Sequence, residues 1–184
     1  MPQYIAFLRG INLGNRRIKM EDLRALFEVL KFRKVATFIA SGNVLFETAI
    51  ADDAKLAAKI AAHLEQSLGY EVDTFVRTRA EVAGIVAAEP FSRQEQLIPD
   101  EHIVHVGFLR EPLDPAKAAG LAAIRSATDA FHVTDREFYW LYRGARSSDS
   151  VIWGSRELRA LKLPTMTMRN LSMLRRLIGE YPSD

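Results

Sequence analysis

The sequence predicts an α+β protein built from two ferredoxin-like βαββαβ halves, a duplication with extra helices. Three observations predict it. The order of strand-like and helix-like segments in residues 1–90 recurs in residues 91–184. The triplet Phe7-Leu8-Arg9 that closes the first strand-like run returns as Phe108-Leu109-Arg110. A polar stretch holding two prolines, residues 89–101, lies where the first copy ends and the second begins. Composition agrees: 48% hydrophobic and 26% charged residues are ordinary for a globular protein. A chain of 184 residues suits one large domain or two small ones.

In the first half, Tyr4 to Arg9 form a short apolar run that reads as a buried strand. A Gly/Asn/Arg loop follows from Gly10 to Lys19. Leu23, Leu26, Phe27 and Leu30 then recur at helical spacing, with Glu21 and Asp22 in the first turn, where the helix dipole favours acids. Lys34 to Ala40 and Asn43 to Glu47 are β-rich and flank Ser41-Gly42, which reads as a tight turn or as a bulge in one bent strand. Asp52 and Asp53 open a second helix with Leu56, Ile60, Leu64 and Leu68 on one face, and Gly69 follows it. Glu71 to Arg77 alternate as a strand. Thr78-Arg79-Ala80-Glu81 is a capping box for a short helix that ends before Pro90.

The second half repeats the plan. Ile103 to Leu109 read as a strand, and Asp114-Pro115 as the start of a helix running to Ile124. Phe131 to Val133 and Glu137 to Tyr142 flank a turn at residues 134–136. A helix is expected over residues 155–161 and a last strand over residues 165–168. Asn170 caps a terminal helix that carries Leu171, Leu174, Leu177 and Ile178 inward and ends at Gly179. This is the ferredoxin-like order in each half, with residues 1–90 as the N-terminal half and residues 91–184 as the C-terminal half with its terminal helix.

Several function classes find no support. With no cysteine there is no disulfide framework, thiolate metal site or cysteine nucleophile, and the composition suits a reducing, cytoplasmic setting. No apolar run approaches the roughly 20 residues needed to span a bilayer, so no membrane role is expected. A net charge of +2 is not by itself the mark of a nucleic-acid binder. His102 and His105 are three apart on a strand and face opposite ways, a poor metal pair. No metal site, cofactor or catalytic residue is therefore assigned, and no local nucleophile elbow is present. Aromatic residues on the first strand and its neighbour (Tyr4, Phe7, Phe46) could serve as a base-stacking platform, but SGNVLFET does not match the RNA-recognition signature, and core packing is the simpler use of those rings.

Three polar segments remain as candidates. In the loop after the first strand, Arg9, Arg16, Arg17 and Lys19 surround Gly10, Asn12 and Gly14 ahead of a helix, the parts of an anion site. The simpler reading gives the glycines and asparagines to turns and the arginines to solvent. At Ser41-Gly42-Asn43 a hydroxyl and an amide stand at a strand end, where a tight turn needs these same residues. In Thr165-Met166-Thr167-Met168-Arg169-Asn170, Arg169 precedes the helix cap Asn170, and six basic residues stand against Glu157 alone from Arg156 to Arg176.

The segments Tyr4 to Gly14, Ser41 to Phe46 and Thr167 to Asn170 resemble the three signature segments of the bacterial domain-of-unknown-function family 1697. The resemblance runs over nearly the whole chain, including Pro90-Phe91 and the late tyrosine and tryptophan stretch. One departure is Asn15, where the family commonly has a second glycine after Gly14; asparagine also tolerates left-handed backbone. The resemblance implies the fold and no activity. It makes Arg9, Asn12, Gly14, Ser41, Asn43, Arg169 and Asn170 the candidates for one ligand site between the halves, for a phosphate-bearing or other anionic small molecule. The alternative is a non-enzymatic module that binds nucleic acid or a protein. A third reading has the segments brace the fold.

Overall fold

The structure, a computed structural model, describes residues 1–39, 42–91 and 102–181. The chain divides into two compact units, one comprising Met1–Ile85 and the segment from Leu177 onward, the other Val86–Arg176. The first contains β1 (Gln3–Arg9), α1 (Met20–Val29), β2 (Arg33–Phe38), β3 (Asn43–Glu47), α2 (Asp53–Leu68) and β4 (Asp73–Thr78), followed by α3 (Arg79–Ala87). Its sheet runs β2-β3-β1-β4 and is antiparallel throughout.

The second unit contains β5 (His102–Phe108), α4 (Pro115–Ala123), β6 (Asp129–Val133), β7 (Glu137–Arg143), α5 (Arg156–Ala160) and β8 (Thr167–Asn170), and α6 (Leu171–Glu180) starts within it. The antiparallel order is β6-β7-β5-β8, the same order as in the first sheet. Both are the ferredoxin-like arrangement expected from sequence, with the first strand of each half in the middle of its sheet.

Local chemistry sets the element ends. Asp52 and Asp114 cap α2 and α4 by accepting from the amides of Lys55 and Lys117, each at 2.9 Å. The capping box at α3 is complete: Thr78 Oγ1 accepts from Glu81 N at 3.1 Å, and Glu81 Oε2 accepts from Thr78 N at 2.7 Å. Gly69 ends α2 at φ +76°, a conformation that lets its N–H reach Glu65 O.

Alternation along the strands divides the side chains. In the first unit Tyr4, Ala6, Leu8, Val44, Phe46 and Val76 pack with Leu23 and Phe27 of α1 and Leu56, Ile60 and Leu64 of α2. The rings of Tyr4 and Phe46 stack at 6.0 Å inside this core, so they form no exposed base platform. In the second unit Phe131, Phe138 and Trp140 pack with Leu121 and Leu158. The other face of each sheet is buried too, by Ile5, Phe7, Leu45 and Phe75 in one case and Val106, Phe108, Tyr139 and Leu141 in the other. That is why β1 reads as apolar on both sides.

Several boundaries differ from expectation by one or two residues, among them β4, which begins at Asp73 rather than Glu71, and β6, which begins at Asp129 rather than Phe131. The last strand begins at Thr167 rather than 165 and runs through Asn170, because Asn170 still pairs with His105 of β5 while its side chain caps the next helix. The terminal helix continues past Gly179 to Glu180; glycine weakens a helix without stopping it. β2 ends at Phe38 rather than at Ala40. Of the polar stretch 89–101, residues 92–101 lie outside the described residues, as do Ala40 and Ser41.

Candidate functional site

The end of the first sheet brings two of the three polar segments side by side. Leu8 N donates to Gly42 O at 2.8 Å. A Cβ on Gly42 would stand 2.8 Å from Ile11 Cγ2 and 3.1 Å from Leu8 Cβ, and Gly42 has φ +75°. Only glycine meets both conditions, so this turn is glycine because the two segments abut.

Within that end, the polar groups have local partners, several of them in their own backbone. Asn12 Oδ1 accepts from Ile18 N at 2.9 Å and so closes the loop on itself. Arg17 Nη1 donates to the carbonyls of Arg16 (2.7 Å) and Asn12 (3.3 Å). Arg16 lies over the Tyr70 ring at 4.3 Å and donates to Glu71 O, while Tyr70 donates to Ile11 O at 3.1 Å. Arg9 pairs with Asp73 at 3.2 Å, on a side chain about half exposed; such a pair adds about 1 kcal/mol at most. Gly14, at φ +59°, serves a turn. Asn43 is fully buried and donates to Phe38 O at 3.1 Å across the base of the turn. The α1 N-terminus next to this loop carries Glu21 and Asp22 in its first turn and has no side-chain cap. Those acids oppose an incoming anion. Ser41 lies outside the described residues.

The third segment lies in the other unit. Arg169 is buried and donates through Nη1 to Thr167 Oγ1 and to Met168 O, each at 2.8 Å. Burial pulls its pKa down to about 10, which leaves it charged at neutral pH. Asn170 Oδ1 accepts from Ser172 N at 2.8 Å and Ser172 Oγ at 2.6 Å, and its side-chain N–H groups make no hydrogen bond among the described residues.

One more residue, Arg77, escapes a reading by motif and shows how the halves correspond. Ile5 faces Arg77, two residues before Phe7 of the repeated triplet; Val106 faces Arg169, two residues before Phe108. Arg77 is 2% exposed and donates to Val76 O at 2.8 Å, as Arg169 does to the carbonyl of the residue before it. Thr78 and Asn170, next in line, each cap a helix. The signal was present as Val76-Arg77-Thr78 and Met168-Arg169-Asn170: an apolar residue, an arginine and a capping residue before a helix. The same register puts a second buried polar residue opposite the triplet phenylalanine in each sheet, Asn43 facing Phe7 and Glu137 facing Phe108.

The α6 N-terminus differs from that of α1. Its first turn has no acidic residue. It borders a cavity of about 400 Å³ in the second unit, lined by Asn170, Ser172 and Arg175, by His102 of β5, and by Glu89 and Phe91. Ser172 and Arg175 are three apart and share a helix face. The Arg175 guanidinium makes no hydrogen bond or ion pair among the described residues.

Nucleophilic and metal chemistry have little to work with. Ser147 Oγ lies 3.5 Å from His105 Nε2, and the ring stacks on Trp140 at 5.1 Å. But among the described residues His105 Nδ1 is buried without a hydrogen-bond partner, and no carboxylate of these orients the ring as a triad requires. Asp129, the buried acid nearby, accepts from Trp140, Ser150, Thr128 and Ser126 instead. Among the described residues no group of three or more His, Cys, Asp or Glu is placed to hold a metal ion, and no helix is long and apolar enough to cross a membrane.

Fold and repeated polar segments together define a duplicated ferredoxin-like protein with no assigned chemistry. The chain belongs to the family described as "Protein of unknown function (DUF1697)", whose model matches residues 1–139. Its architecture is similar to that of the conserved bacterial protein SP0830 from Streptococcus pneumoniae, with a TM-score of 0.71 and 20% sequence identity over 97% of each chain. At that identity the likeness speaks for the fold. Among proteins with curated descriptions, none matches this sequence.

Proposed function

We propose that this protein binds a small phosphate-bearing or other anionic molecule, and that the anion sits at the N-terminus of α6. The observation that carries this reading is the cavity of about 400 Å³ there, where Arg175 and the Asn170 amide offer donors beside a helix start with no acid in its first turn. Of the residues expected from sequence, Asn170 remains in this site. Arg169 holds the end of β8 through Thr167 Oγ1 and Met168 O. Arg9, Asn12, Gly14 and Asn43 take architectural roles, since each has a local partner or a turn to make. Glu89 on the cavity wall favours a ligand that presents a hydroxyl or amine next to its anionic group.

The test is a thermal-shift titration with inorganic phosphate at constant ionic strength. A saturable rise in melting temperature is expected, reaching about 2.7 kcal/mol of stabilisation at a hundred times the Kd. Arg175→Gln should remove the rise while leaving the unliganded melting temperature unchanged, because the guanidinium makes no bond among the described residues. No saturation, or saturation that persists in Arg175→Gln, would refute the reading. A parallel titration with a single-stranded oligonucleotide addresses the alternative, which predicts binding that weakens steeply with salt.

A further inference from the structure

The first unit holds a second cavity, unrelated to the α6 site. It measures about 240 Å³ and lies at the Gln3 end of the sheet, against Glu180, the last residue of α6, and Tyr181 after it. Its apolar lining includes Ile5 and Leu45, which are register partners on one sheet face. Around them stand four charges of alternating sign: Lys34, Glu47, Arg79 and Glu180.

Two features of this wall are costly for the fold. The pairing of β2 with β3 shifts register between Arg33 and Ala36, and within that bulge Lys34 has φ +47°. A lysine in left-handed backbone costs about 1–2 kcal/mol, and bulges commonly re-aim a side chain. Here the bulge accompanies a Lys34 Nζ placed 3.0 Å from Glu47 Oε1. Glu47 itself is only 7% exposed, on a strand that also buries Val44, Leu45 and Phe46, and it accepts from the Gln3 amide at 3.5 Å. Strained backbone and a buried carboxylate at one cavity point to a site kept for a ligand. On the opposite wall Arg79 donates to Tyr181 O at 2.7 Å and Ile178 O at 3.0 Å, which fixes a guanidinium beside the cavity.

The charge pattern selects the ligand. A simple carboxylate would sit beside Glu47 and Glu180, and a simple amine beside Lys34 and Arg79. A hydrocarbon would strip water from all four. A cavity of roughly 150 Å³ can take benzene, so this one suits a molecule somewhat larger. We propose that it binds a small zwitterion of the α-amino-acid class, about the size of leucine. Its apolar side chain lies over Ile5 and Leu45, its ammonium group meets Glu47, and its carboxylate meets Lys34 and Arg79.

The experiment is ligand-observed saturation-transfer NMR on the whole protein with L-leucine, isovalerate and isoamylamine, each titrated at the same ionic strength. Leucine should saturate, at least tenfold tighter than either singly charged analogue. Glu47→Gln should weaken leucine binding at least tenfold, and Leu45→Trp, which fills the cavity, should abolish it. If either variant fails to fold, the three-ligand comparison on the unaltered protein decides alone. Absence of saturable leucine binding overturns the proposal, and so does an analogue that binds as well as leucine. Leucine binding that survives Leu45→Trp overturns it too.

Discussion

Gly107 stands on β5 directly opposite Phe138 of β7. A Cβ added there would lie 2.1, 2.3 and 2.7 Å from three atoms of the Phe138 ring. Real contacts do not come so close, so the ring must move or the strands must part. The ring has nowhere to go: Phe138 is fully buried, with the rings of Phe131 and Trp153 at 6.2 and 6.3 Å. Overpacking of a core by one methyl usually costs about 1–3 kcal/mol, and three simultaneous overlaps against an enclosed ring put Gly107→Ala at the top of that range, about 3 kcal/mol. In a chain of this size each kcal/mol moves the melting temperature by about 2–4 °C, so a fall of about 6–12 °C is expected. Urea unfolding followed by tryptophan fluorescence is the natural assay, because both tryptophans, Trp140 and Trp153, belong to the second unit. Phe138→Leu, combined with Gly107→Ala, should recover part of the loss, so that the two changes are strongly non-additive. A Gly107→Ala midpoint within error of the parent would refute the packing described for β5 and β7.

Other consequences follow from the same reasoning. Gly84 lies inside α3 with open space where its Cβ would be, so Gly84→Ala should stabilise by about 0.5–1 kcal/mol, the opposite sign to Gly107→Ala; denaturant midpoints check both. Arg79→Ala removes the donors that hold Ile178 O and Tyr181 O, a loss of about 1.5–3 kcal/mol for bonds to a charged group, which amide exchange should show as lost protection at the end of α6. Burial lowers the pKa of His105 below its ordinary value. The folded state therefore takes up its proton later than the unfolded state as pH falls. Stability from this residue is whole above about pH 6.5 and declines below it, by up to about 1.4 kcal/mol per pH unit. His105→Gln should flatten the fluorescence-detected midpoint between pH 7 and pH 5.5. Burial, with Glu137 adding to it, pushes the Tyr139 phenol up to about 12, so one tyrosine should resist ultraviolet titration until that pH.

The fold was legible because alternation, helical stripes and caps all agreed. Asp52, Thr78-Glu81, Asp114 and Asn170 each announce a helix start and each makes the bond its position requires. The site was less legible, since residue type does not reveal where a side chain finds its partner. Arg16, Arg17 and Asn12 carry the composition of an anion loop, yet Arg17 and Asn12 bond to the loop's own backbone and Arg16 to the carbonyl of Glu71. Arg175 sits in an unremarkable basic run, and only the cavity singles it out. Arg77 was hidden because it follows the apolar pair Phe75-Val76 on its strand and its equivalence to Arg169 depends on register, which a three-residue echo fixes only once the pairings are known. The Lys34 bulge carries no glycine or asparagine to mark it.

The central claim is that an anion is held at the start of α6 and not in the arginine-rich loop after β1. Amide chemical-shift mapping during a phosphate titration tests this directly. The account predicts saturable shifts at Leu171 to Arg175, with the amides of residues 10–19 unmoved. Saturable shifts confined to residues 10–19 would contradict it.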